Sequence, residues 1–234
     1  ESTPQERTTV RYRGLITKGE ELRYVSHLDY ANLFVRACKR AGLPMAYSEG
    51  FNPHMKVAFA SALSLGAASD AEYVDFEMTE KLPPHEVMQR LRAQLPRGAE
   101  IIRLRLQEGK HRALMADVDE ARYRLKIPYE GELAPVRESV RRYNSAAHAV
   151  WERVTPKKRR SIETKEYIKA PISFQYENGC LILWMNLLVT PAGSVKPIEV
   201  LSVMARDFAL PIDPAKAYVT RTGLFAEGAA LIDR

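Results

Sequence analysis

Cysteine is scarce in this chain: Cys38 and Cys180 are the two in 234 residues, far apart and without a CxxC or His/Cys ligand spacing. That argues against a disulfide framework, a zinc ribbon or a cysteine-ligated cluster, and a reducing cytoplasm is the expected setting. Long apolar runs are missing too. None nears the roughly 18 uninterrupted residues that a membrane-spanning helix needs, so no membrane partner is expected. Glu1-Ser2-Thr3-Pro4-Gln5-Glu6-Arg7 has neither an apolar core nor a cleavage site and gives no sign of secretion. Also absent are GxxxxGK[ST], GxGxxG, HExxH, GxSxG and CxxxCxxC. Nucleotide-driven and zinc-protease chemistry therefore have no basis in these residues, and no cofactor is expected.

What is present is a mildly basic, core-forming composition. Lys and Arg number 35 against 29 Asp and Glu, a formal net charge of +6, and 46% of residues are hydrophobic, enough for one large or two small cores. Period-two alternation predicts a strand over Thr9 to Ile16. A helix capped by Ser26, with Asp29 as its acidic partner, follows; Leu28, Ala31, Val35 and Cys38 form its stripe, and Gly42 and Pro44 stop it. Arg36, Lys39 and Arg40 ride its other face. Strands are predicted at Val57 to Ala60 and Tyr73 to Met78, then a helix opened by Pro83 and Pro84 with Val87, Leu91 and Leu95 in line, then a strand at Ile101 to Leu104.

The same order recurs in the second half. It runs through a strand at Tyr123 to Ile127, a helix from about Pro135 to Trp151, and a hairpin of Ile172 to Tyr176 and Leu181 to Met185 around Glu177-Asn178-Gly179. A helix from Pro197 and a strand at Ala217 to Arg221 complete it. The expected fold is α+β with two tandem ferredoxin-like (βαββαβ) units, at 8–108 and 117–226.

Two segments carry candidate chemistry. The first joins Ser26-His27-Leu28-Asp29 to the loop Gly50-Phe51-Asn52-Pro53-His54-Met55-Lys56 at the far end of the helix. His27, His54 and Lys56 have the acid, base and charge-stabilising types that metal-independent RNA cleavage uses. The plain alternative is a helix-start histidine and a hydrogen-bonded loop histidine. The second segment, Glu152 to Lys169, holds seven Lys and Arg against three Glu, net +4. Read as a loop, it offers Lys157, Lys158, Arg159, Arg160 and Lys165 to phosphates, with Tyr167 and Trp151 to stack on unpaired bases. A solvated loop over a buried Trp151 is the competing reading. Arg90, Arg92, Arg97, Arg103, Arg105, Lys110 and Arg112 spread further positive charge. Asp70, Glu72, Asp75 and Glu77 read as an exposed strand face rather than a metal site, and Cys38 and Cys180 as structural.

Leu22-Arg23-Tyr24-Val25-Ser26-His27-Leu28-Asp29, Arg36-Ala37, Arg40-Ala41-Gly42-Leu43-Pro44, Gly50-Phe51-Asn52-Pro53-His54 with Lys56, and Thr222-Gly223-Leu224-Phe225 together resemble the radical-SAM-associated domain of unknown function. The likeness covers roughly residues 8 to 226, with Met55 standing where proline is expected. It implies an accessory role beside a radical-SAM protein or domain that supplies the cluster cysteines missing here. Tandem ferredoxin-like units also resemble the CRISPR RNA-processing endonucleases, a fold-level analogy that favours RNA.

Three functions follow as expectations. The first is an RNA-binding accessory protein presenting structured RNA, tRNA or rRNA, without DNA specificity. The second is a ribonuclease using His27 and His54. The third is a docking module for the radical-SAM partner through Arg23, Ser26, His27, Phe51, Asn52 and His54, with no RNA contact.

Overall fold

The computed structural model describes residues 9–109, 112–156, 158–191 and 193–234. They form two compact units: the first runs to Val118 and takes back residues 229–234, and the second spans 119–228. Both are mixed α and β.

The first unit is built from β1 (Val10–Lys18), α1 (His27–Arg40), β2 (Val57–Phe59), β3 (Ala68–Met78), α2 (Pro84–Arg92), β4 (Ile101–Gln107) and the short α3 (Leu114–Asp117). β1 lies antiparallel between β3 and β4, and β2 adds to β3, giving the order β4-β1-β3-β2. β3 begins well before the Tyr73 predicted, taking in Ala68 and Ser69. Alternation along β1 sends Tyr12 and Ile16 into the core and Arg11 and Arg13 to the opposite sheet face.

The core is aromatic. Tyr12 stacks on Phe76 at 5.6 Å, and Phe34 meets both Phe59 and Phe76 at 6.0 and 5.7 Å. Those rings decide how α1 is rotated: Tyr30, Phe34, Ala37 and Cys38 are buried, whereas Leu28, expected in the stripe, is 70% exposed. Burial pushes the Cys38 thiol up to about 12, which leaves it unreactive near neutral pH. α1 starts as read from sequence. Ser26 Oγ accepts from the Asp29 amide at 3.1 Å and donates to its carboxylate at 2.6 Å. Ser26→Ala is expected to cost about 1 kcal/mol in denaturant unfolding.

The second unit holds β5 (Glu120–Pro128), α4 (Leu133–Ser145), β6 (Val150–Thr155), β7 (Lys158–Glu163), β8 (Ser173–Glu177), β9 (Cys180–Thr190), β10 (Gly193–Ser194), α5 (Pro197–Asp207) and β11 (Tyr218–Ala226). β5 lies antiparallel between β9 and β11, and β8 adds to β9, so the order is β11-β5-β9-β8. Asn178 and Gly179 both take positive φ, 51° and 73°, as the predicted hairpin turn requires. Leu181, Leu183, Met185 and Leu187 alternate inward from β9 and are buried, as are Val136 and Val140 of α4 and Leu201 and Met204 of α5.

Two expectations fail here. The helix predicted to reach Trp151 stops at Ser145, because Lys165 Nζ caps the Tyr143 and Asn144 carbonyls at 2.7 and 3.2 Å and Asn144 pairs with the Ile172 backbone at 2.9 Å in both directions. Trp151 lies instead on β6, and the segment read as a basic loop is a two-stranded antiparallel ribbon, β6 with β7. Among the described residues no helix is long and apolar enough to cross a membrane.

Candidate nucleic-acid interface

The Arg23–Asp29 segment is fixed from below by a buried cation. Lys18 Nζ donates to the Val25 carbonyl at 2.7 Å and lies 5.9 Å from the Tyr30 ring, while Tyr30 donates its hydroxyl to Thr17 at 2.6 Å. The half-buried His27 ring meets Phe59 edge-on at 5.6 Å. Arg23 packs over Tyr24, its guanidinium 4.6 Å from the ring centre. Tyr24 and Leu28 point outward, 69% and 70% exposed.

The Gly-Phe-Asn-Pro-His loop is the tip of a short hairpin. Tyr47 and Met55 face each other across it, and Ser48 closes it by accepting from the His54 amide at 3.1 Å and bonding the His54 ring nitrogen Nδ1 at 2.8 Å. Met55, where proline was expected, is buried in the aromatic core. Gly50 takes φ +113°, a turn that L side chains resist, and the next residue, Phe51, stands fully exposed, as does much of Asn52, Pro53 and His54. His54 is therefore held by Ser48, and the His27 ring lies against Phe59. Lys56 leans on Glu77 at 3.2 Å.

Glu77 gathers Thr9, Arg11 and Lys56 at 2.8, 2.8 and 3.2 Å. Burial by itself would raise this carboxyl, but those bonds outweigh it and hold it down at about 2. Because the folded value lies below the ordinary 4.5, the stabilisation is present above about 4.5 and drains away as the pH falls toward 2. Glu77→Gln is expected to lower unfolding stability at pH 7 and to flatten its decline below pH 5, read by chemical denaturation across pH.

Of the four carboxylates expected to line an exposed strand, Asp70 is exposed, Glu77 is half-buried and the other two are not exposed. Glu72 and Asp75 are buried, and Asp75 makes a two-pronged pair with Arg13 at 2.8 and 2.9 Å. Among the described residues, no group of three or more His, Cys, Asp or Glu is placed to hold a metal ion. Arg13 also donates to the Leu231 carbonyl at 3.2 Å, Arg105 to that of Ile232 at 2.9 Å, and Arg103 to the Asp233 carboxylate at 3.1 Å. Sequence reasoning missed this arginine-rich sheet face, although the i, i+2 spacing of Arg11 with Arg13 and of Arg103 with Arg105 predicts it. Its cations are engaged by the chain's own oxygens.

The ribbon differs. At its base Arg153 grips Glu199 at 2.7 and 2.6 Å, and Arg206 donates to the Val150 carbonyl at 2.7 Å while lying 5.8 Å from the Trp151 ring. Ile162 is buried on the same side as Trp151 and Arg153. Beyond that base every described residue from Val154 to Ser161 is exposed, Lys158, Arg159 and Arg160 among them. Thr155 Oγ1 closes the turn against the Lys158 amide at 3.0 Å. Lys157 lies outside the described residues. Two residues offered for RNA from sequence serve elsewhere: Lys165 caps α4, where burial pulls its ammonium down, and Tyr167 is 8% exposed and has no face to give a base.

One solved structure resembling the chain is that of a Cbf5-Nop10-Gar1 complex, at 10% identity and a TM-score of 0.48. The match takes in 92% of this chain and 50% of that one, so the chain spans half the length of its structural neighbour, and a likeness at this level carries no functional inference. No curated protein matches the sequence. Residues 11–197, well over half the chain, match a family described as uncharacterized protein conserved in bacteria (DUF2344), and the chain belongs to that family.

Proposed function

We propose that this chain is an RNA-binding accessory protein of the cytoplasm that presents structured RNA, tRNA or rRNA, to a radical-SAM modifying partner. We further infer that each unit is a ferredoxin-like unit, on the strength of the strand orders β4-β1-β3-β2 and β11-β5-β9-β8, the second with the β6–β7 ribbon inserted. The observation that carries the RNA reading is the exposed outer end of that ribbon, with Lys158 and Arg159 at its surface. Cations placed against phosphates release condensed counterions and give affinity without sequence reading. The radical-SAM partner rests on the resemblance of Leu22 to Asp29 and Gly50 to Lys56.

Fluorescence anisotropy of the chain against bulk tRNA at several salt concentrations tests the reading. Submicromolar binding that falls steeply with salt is expected; no binding at low salt contradicts it. The docking alternative draws support from Phe51, fully exposed on a hairpin pre-formed by Ser48 and His54. Capture of the radical-SAM partner that survives nuclease and is lost in Phe51→Ala would favour it. The ribonuclease alternative requires RNA cleavage that persists in EDTA and disappears in His54→Ala.

A further inference from the structure

We infer that the β6–β7 ribbon binds double-helical RNA, its tip lying in the shallow minor groove with phosphates on either side. The inference rests on the RNA reading above and deepens it by naming the form of RNA recognised.

Three features of the ribbon lead there. The pairing Thr155 with Lys158, Arg153 with Arg160 and Trp151 with Ile162 places Lys158 on the face of Arg153 and Trp151, where the Arg160 guanidinium lies beside Gly193. Arg159, opposite Val154, lies on the other. The tip thus carries cations on both faces. A single strand follows one row of cations, whereas each groove of a duplex is flanked by two rows of phosphate.

The outer ribbon also has no aromatic residue: from Glu152 to Ser161 there is no Phe, Tyr or Trp, and the nearby Tyr167 is buried. Single-strand binders interleave cations with stacking platforms, and that element is missing here. The arm is, in addition, pre-formed. Its base is locked by Arg153 on Glu199 and by Arg206 on the Val150 carbonyl, which lowers the ordering cost of binding. A-form RNA offers a wide minor groove with 2′-hydroxyls at its floor, while its major groove is deep and narrow. On the Arg159 face Ser161 donates its hydroxyl to Glu152, which keeps the strand pairing closed up to the exposed tip.

The test compares three probes with the full chain at about 0.1 M salt: a blunt RNA hairpin of about 16 base pairs, oligouridine of equal phosphate count, and the DNA duplex of the same sequence. The RNA duplex is expected to bind about tenfold more tightly than either other probe. Lys158→Ala and Arg159→Ala, from opposite faces, should each remove most of that preference, with circular dichroism confirming an unchanged fold. Equal or tighter binding of oligouridine overturns the duplex assignment while leaving the RNA reading in place, and equal binding of the DNA duplex overturns the A-form assignment. Binding of none of the three, even at about 50 mM salt, removes the RNA reading itself.

Discussion

Replacing Lys158, Arg159 and Arg160 together by alanine is expected to weaken RNA binding about tenfold or more near 0.1 M salt and to reduce the slope of log affinity against log salt by about 2. The magnitude follows from counterion release, in which each phosphate neutralised contributes about 0.7 to 0.9 to the slope. All three side chains lie in the exposed outer part of the ribbon, beyond the packed base of Trp151, Arg153 and Ile162. Unfolding midpoints should stay close to the parent value. A variant that binds with the same affinity and the same slope removes the ribbon from the interface.

The largest effect on stability is expected at Arg13 and Asp75. The pair is buried, with 2% and 8% of the side-chain surface exposed, and is joined by two bonds of 2.8 and 2.9 Å. Asp75→Ala strands a guanidinium whose remaining bond is to the Leu231 carbonyl at 3.2 Å. A buried charge left without its partner costs about 3 to 5 kcal/mol, and that loss is expected in urea unfolding. Exchanging both residues for apolar ones of similar size should recover most of it, because the desolvation penalty disappears along with the attraction. If Asp75→Ala alone proves nearly neutral, the pair does not stabilise the first unit in the way its burial implies.

Local signals were legible in the sequence where chemistry is short-range. Ser26 with Asp29, and Asn178 with Gly179, announce a cap and a turn through the backbone groups they satisfy or the φ they permit, and both stand where they were read. Rotation of α1 was not legible. Leu28, Ala31 and Val35 are spaced like a buried stripe, yet Tyr30 and Phe34 bury more area and turn the helix toward Phe59 and Phe76.

The β6–β7 ribbon was missed for a related reason. Both faces of its outer half are exposed, so β7 shows no clean apolar alternation, and Lys158-Arg159-Arg160 reads as a charge run. The β-branched Val150, Val154, Thr155 and Ile162 were the available clue. Asp75 and Glu77 were correctly placed on one strand face, but burial of that face depends on Arg11, Arg13 and residues 231–233, which lie far away in the chain. Tyr167 and Lys165 were judged by residue type, while their burial and capping roles are set by tertiary packing.

The proposed RNA contact is the cationic ribbon of the second unit. Ultraviolet cross-linking of the full chain to 4-thiouridine-labelled structured RNA, followed by peptide mapping, addresses it most directly. Cross-links are expected to concentrate on the peptides carrying Val154 to Ile162 and to be lost when excess unlabelled RNA competes. Cross-links absent from those peptides, or confined to the Tyr24 to Lys56 segment of the first unit, would contradict it.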